Sequence, residues 1–153
     1  PDMGSDARLS CSSSGWAWLS TMSDDEALAL VARQGIGQPE HFGPAAPATL
    51  PAVLEALHVT RAQGYSITIE TYTAGLSAMS APVRFAGQPA FGVVTIAGPT
   101  VRFTPERMQA LLPELLSTTA QLAATSGASP FFTLTAETGT SDGAAGRKPI
   151  YAL

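Results

Sequence analysis

Cysteine, histidine and lysine are almost missing from this chain of 153 residues, and each shortage closes off a class of function. One cysteine, Cys11, cannot build an internal disulfide framework or a multi-cysteine zinc site. It fits a reducing compartment. Two isolated histidines, His41 and His58, lack the spacing of a metal pair, so neither a metal nor a cofactor is expected. Charged residues make up only 13% of the chain, about half the usual share of ~25%. Hydrophobic residues reach 45%, and disorder needs the opposite balance. Long apolar runs are also lacking. Residues 90–97 (AFGVVTIA) are far short of the ~20 needed to cross a bilayer, so no membrane partner is expected. The basic residues number eight against twelve acids, giving a net charge of -4. Nucleic-acid modules carry a basic patch, so this chain is not expected to hold nucleic acid by itself.

What remains is enough for one domain with a real core, since a chain of this size buries roughly 70% of its unfolded surface. Residues 1–6 (PDMGSD) show neither an initiator methionine nor a leader and read as a cut inside a longer protein. A serine cluster, Ser12-Ser13-Ser14-Gly15, precedes Trp16-Ala17-Trp18-Leu19 and predicts a helix over 13–22. Ser23 and Glu26 have capping-box spacing and open a second helix that Gly35 stops. Residues 35–48 are dense in glycine and proline and read as an exposed loop. Thr49-Leu50-Pro51 starts a third helix, carried by Val53, Leu54 and Leu57 and closed at Gly64. The period then changes to two. Tyr65, Ile67 and Ile69 share one face of a strand, and Ser66, Thr68, Glu70 and Tyr72 the other. A second strand over 75–85 is expected to break near Pro82, and a third follows over 90–97. Thr104-Pro105-Glu106 opens a last helix, which Pro113 should kink or interrupt and Gly127 should end. Residues 133–153 are rich in Gly, Thr and Ser and read as a flexible tail. Helices followed by strands on short turns imply an α+β domain around an antiparallel sheet.

Chemistry-bearing groups are few. Cys11 stands at a helix entrance, where a thiol can be activated, but no histidine motif accompanies it. Asp24, Asp25 and Glu26 belong to a helix start, and Glu70 faces either a ligand or an arginine. The serine cluster offers a helix N-terminus plus hydroxyl donors, which can take a carboxylate without any lysine. Plain N-capping explains the same residues. Trp16 and Trp18 point in different directions, and at least one packs in the core or at an interface.

Four blocks in order resemble the effector-binding domain of bacterial regulators of the isocitrate lyase regulator (IclR) family. Residues 11–19 (CSSSGWAWL) are similar to the family's H-A-[TS]-x-x-G-K-A-[LF]-L segment. Residues 49–65 are similar to its helix ending in R-x-x-G-Y, here Arg61, Gly64 and Tyr65. Glu70, Gly75 and Ala81-Pro82-Val83 are similar to E-x-x-x-G-x-x-x-x-A-[AP]-V. Residues 90–99 are similar to the closing strand and its S-G-P, here Ala97-Gly98-Pro99. Together they span about residues 7–126.

The resemblance implies a curved antiparallel sheet flanked by helices, a GAF-like sensing domain over residues 1–132 whose N-terminal part is truncated. It implies a cytoplasmic, non-enzymatic homodimer or homotetramer that binds a small organic acid. DNA would be read by an N-terminal winged helix-turn-helix absent from these residues. By position, the resemblance implies ligand contacts at Ser13, Ser14, Thr68, Ala78, Thr95 and Ala97, with Cys11 and Glu70 as further pocket candidates. Several departures make that pocket less polar: Thr68 carries no charge, Ala78 and Ala97 no polar group, and Trp16 stands where lysine is usual. A larger, partly apolar or aromatic acid is therefore expected. The alternatives are a domain that has lost its ligand and only oligomerises, or a small hydrolase or transferase using Cys11 or a serine.

Overall fold

The computed structural model describes residues 8–37 and 39–127; the expected start at 1–6 and tail at 133–153 lie outside them. Among the described residues, four α-helices and three strands follow one another as α1 (Ser13–Leu19), α2 (Asp24–Gln34), α3 (Leu50–Gln63), β1 (Ser66–Ile69), β2 (Leu76–Val83), β3 (Gly92–Pro99) and α4 (Pro105–Ser126). A short 3-10 turn, Pro39–His41, interrupts the glycine- and proline-rich loop. The strands form one open antiparallel sheet in the order β1-β2-β3. The expected α+β class is the one observed.

Local chemistry sets most of these bounds. Ser12 caps α1 by accepting from the Gly15 amide. Gly15 sits so close to the preceding segment that a Cβ would lie 2.7 Å from Leu9 backbone atoms. Only glycine lets the chain fold back on itself there. α1 ends at Leu19, three residues earlier than the spacing predicts. Tight turns close over Thr21 and Met22, and Arg61 of α3 donates to the carbonyls of Ser20 (3.0 Å) and Met22 (2.9 Å). The capping box of Ser23 and Glu26 forms at α2 as expected. Gly64 ends α3 in the left-handed conformation at φ 83°.

Pro82 does not break β2. The even-numbered residues of β2 aim their backbone groups at β1, as the bond from the Glu70 amide to the Leu76 carbonyl shows. The β1 ladder stops at the Ser66–Ser80 pair. The amide that proline lacks would therefore have met no partner. β3 starts two residues later than expected, because Ala90 donates to the Thr21 hydroxyl and the ladder proper opens at Gly92. α4 runs through Pro113 as one 22-residue helix. Pro113 and Gln109, whose carbonyl loses its donor, are both exposed, so water can serve that carbonyl.

Two apolar clusters lie apart from each other. Trp16, Leu19, Ala27, Val31, Val53 and Leu57 knit α1, α2 and α3 together. Met79, Ala81, Phe103, Met108 and Leu115 join one face of the sheet to α4, with Tyr65, Ile67, Val94 and Ile96 beside them. α1 lies across the other sheet face and joins the two halves.

Candidate functional site

The site is built on that other sheet face. Antiparallel register places Thr68, Ala78 and Ala97 in one cross-strand row. The next row is Ser66, Ser80 and Thr95. Side chains two apart along a strand share a face, so both rows point toward α1.

The first turn of α1 rests on the second row. The Ser13 and Ser80 hydroxyls meet at 2.7 Å, and the Ser80 hydroxyl meets that of Thr95 at 2.8 Å. The Ser66 hydroxyl donates to the Ser13 carbonyl at 2.7 Å. Thr68 donates to the carbonyl of Ala78 at 3.3 Å. Ser66 and Ser80 are fully buried, so each hydroxyl needs a partner, and each has one. The polar face of β1 is thus more deeply covered than the apolar one, where Ile69 remains 39% exposed.

Of the expected contact residues, Ser13, Thr95, Thr68, Ala78 and Ala97 do share this face. Ser13, the first residue of α1, is buried against this face, Thr68 and Ala78 are closed over by α1, and Thr95 and Ala97 are exposed on the flank of β3. Ser14 is half-buried, its hydroxyl 3.4 Å from that of Ser12. Glu70 stands apart: its carboxylate accepts the Gly75 amide at 2.9 Å and shapes the β1–β2 turn. Ser66 and Ser80 were missed. Same-face alternation was the signal for them, since they lie two residues from Thr68 and Ala78.

Cys11 is buried just ahead of the α1 cap. Burial pushes its thiol above the usual range, against smaller opposing pulls from the Ser10 hydrogen bond and the Arg8 charge. A nucleophilic thiol needs the reverse. Trp16 is buried, and its indole donates to the Ser10 carbonyl at 2.9 Å. His58 binds Asp24 at 2.7 Å on the outer side of α2 and α3. The Ser13 hydroxyl has only another hydroxyl for a neighbour, which supplies no base.

Surface hollows among the described residues include three that lie elsewhere. One of about 360 Å³ runs between α3 and β1 beside Trp16 and Ile67. One of about 260 Å³ is lined by Trp18 and 90–92. One of about 520 Å³ lies along α2 beside Met22 and Pro89. None of the three includes the expected contact residues. Among the described residues no cluster of His, Cys, Asp or Glu could hold a metal, and no helix is long and apolar enough to cross a membrane.

Comparison with known proteins agrees with this architecture. The family described as "Bacterial transcriptional regulator IclR C-terminal" matches residues 2–124. The HTH-type transcriptional repressor AllR of Salmonella paratyphi A is 28% identical over 105 residues, covering 69% of this chain and 38% of the repressor. The chain therefore spans well under half the length of such relatives. A double mutant of the PobR inducer-binding domain from Acinetobacter, in complex with 3-hydroxybenzoic acid, superposes with a TM-score of 0.67 at 22% identity. That match covers 75% of this chain and 65% of the other. The C-terminal domain of the Escherichia coli regulator KdgR gives 0.67 at 23% identity, covering 76% and 69%. Both structural likenesses show a shared fold.

Proposed function

The chain belongs to the IclR family of bacterial transcriptional regulators, matching its C-terminal domain, and from that premise we propose that it senses a small organic acid at the first turn of α1. The family and the relatives it matches are regulators rather than enzymes. The acid would have an apolar or aromatic body, and its binding would change how the full-length protein holds DNA. A cytoplasmic homodimer or homotetramer, with DNA read by an N-terminal helix-turn-helix, completes the reading.

The observation that carries it is the hydroxyl chain Ser13–Ser80–Thr95, half under α1 and half open on β3. A hydrogen bond between neutral groups is worth about 0.5–1.5 kcal/mol, and one to a charged group about 1.5–3. A carboxylate arriving over Thr95 can therefore displace the Ser13–Ser80 contact at a net gain. Ser14 lies half-buried one residue on and adds a donor. Ala78 and Ala97 flank the hydroxyls with methyl groups, which suits an apolar body. The aromatic acid named with the PobR domain supports the same chemistry.

Taking that bond apart would remove one of the ties on the first turn of α1. Since α1 packs on α3 and on the sheet, its shift would reach the surfaces through which copies assemble. One observation favours a second reading, oligomerisation without ligand: the buried hydroxyls of Ser13, Ser66 and Ser80 already satisfy one another or a carbonyl. Calorimetric titration separates the two. Saturable heat with 3-hydroxybenzoate, and none with glyoxylate or pyruvate at the same concentration, is the expected result. Tight binding of glyoxylate or pyruvate contradicts the apolar body. Silence from every acid supports oligomerisation alone.

A further inference from the structure

We propose that Thr71 is the positioning residue of the α1 entrance, a latch through which the β1–β2 turn fixes the segment Cys11–Ser13 and hence the affinity of the acid site. The effect on affinity rests on the sensing role proposed above; the latch itself does not.

The turn is tied down on three sides. Glu70 is the only non-glycine residue with a positive φ, 54°, among the described residues. Such a conformation costs energy and persists only where neighbours over-determine it. Here the Glu70 amide donates to Leu76, the Gly75 amide to the Glu70 carboxylate, and the Ala45 amide to the Glu70 carbonyl. The Gly43 amide donates to the Thr71 carbonyl at 3.2 Å. Loop and turn press together so closely at Gly43 that a Cβ would overlap the Glu70 carbonyl.

This bracing aims one side chain inward. Thr71 is buried, and its hydroxyl donates to the Cys11 carbonyl at 2.6 Å, sixty residues away in sequence. Cys11 is followed at once by the cap, Ser12, and by Ser13 on the hydroxyl row. The first turn of α1 is thus held from below by Ser66 and Ser80 and from its entrance by Thr71. An acid that exchanges the contacts below meets a helix start whose position the Thr71 hydroxyl still sets.

The buried Cys11 thiol reports on this entrance without any ligand. Alkylation by iodoacetamide should be at least tenfold faster in Thr71→Val, which keeps the shape and loses the hydroxyl. Thr71→Ser should restore the slow rate. Leu115→Ala, placed in the distant α4 cluster, serves as the control for general loosening. It should lower the melting temperature more than Thr71→Val yet expose Cys11 less. Alkylation rates that simply follow melting temperature across the three variants would overturn the latch. With 3-hydroxybenzoate as probe, Thr71→Val should bind at least fivefold more weakly and Thr71→Ser like the unaltered chain. Equal binding by all three removes the latch from the site. If the probe binds none of them while alkylation behaves as expected, the latch stands and the acid-sensing reading falls.

Discussion

The two faces of the sheet do different work with the same strands. Toward α4 the contacts are Met79, Ala81, Phe103, Met108 and Leu115, apolar and interlocked. Toward α1 they are Ser66, Ser80, Thr68 and Ser13, buried hydroxyls paired with one another or with carbonyls. Apolar burial is favourable with no partner to find, and leaves α4 nowhere better to go. A hydroxyl pair is nearly balanced against its alternatives, so it specifies a position firmly yet can be exchanged for another acceptor. One face therefore holds the fold, and the other can answer to a ligand.

The contrast can be broken most strongly from the α4 side. Leu115→Ala empties a fully buried position and should cost about 2–5 kcal/mol, read by urea denaturation. A loss below about 1 kcal/mol would mean that α4 is not the stabilising layer. Ser80→Ala should cost less, about 1–3 kcal/mol, because it strands the buried Ser13 hydroxyl. It should also alter acid binding, which Leu115→Ala should not do below its unfolding transition. Thr95→Ala is expected to change stability by only about 0.5 kcal/mol, since Thr95 is exposed and water can replace its bond. A large stability loss there with unchanged acid binding would reverse the roles assigned to the two faces.

Acid titration gives the smallest effect and concerns neither face. A hydrogen bond from His58, then one from Arg61, holds the Asp24 carboxyl below its ordinary value. Ser23 does the same for Glu26, and Thr104 for Glu106. A carboxyl with a lowered folded pKa contributes stability above its unfolded pKa of about 4 and loses it as pH falls through the folded value. Stability should therefore decline below about pH 4, and Asp24→Asn should flatten that decline. A decline of unchanged slope in the variant would show that the His58–Asp24–Arg61 group is not coupled to folding.

Where one local signal decides an element, the sequence is readable. Ser23 with Glu26, Thr49 with Pro51, and Gly64 each place a helix end by chemistry within a few residues. Pro82 misleads because its harmlessness depends on where β1 stops, a fact of pairing rather than of local pattern. α1 is shorter than its apolar run because its end tightens into turns at Thr21 and Met22, where Arg61, some forty residues on, ties down the carbonyls of Ser20 and Met22. The site divides in the same way. Strand alternation is enough to put Thr68 on the polar face of β1 and Thr95 and Ala97 on one face of β3, but setting Thr68 beside Ala78 takes the pairing register. Burial of that polar face depends on α1 being laid across it, and Glu70 leaves the site because its carboxylate finds Gly75.

If the first turn of α1 receives an acid, a thermal-shift series will show it. The chain would be melted with 3-hydroxybenzoate and with aliphatic carboxylates of rising length, beside a Ser14→Trp variant that crowds the same turn. A ligand at 100 times its dissociation constant adds about 2.7 kcal/mol, a rise of several degrees. That rise is expected with the aromatic or longer acids in the unaltered chain, and its loss in Ser14→Trp. An equal rise in both proteins, or no rise with any acid, would contradict acid binding at this turn.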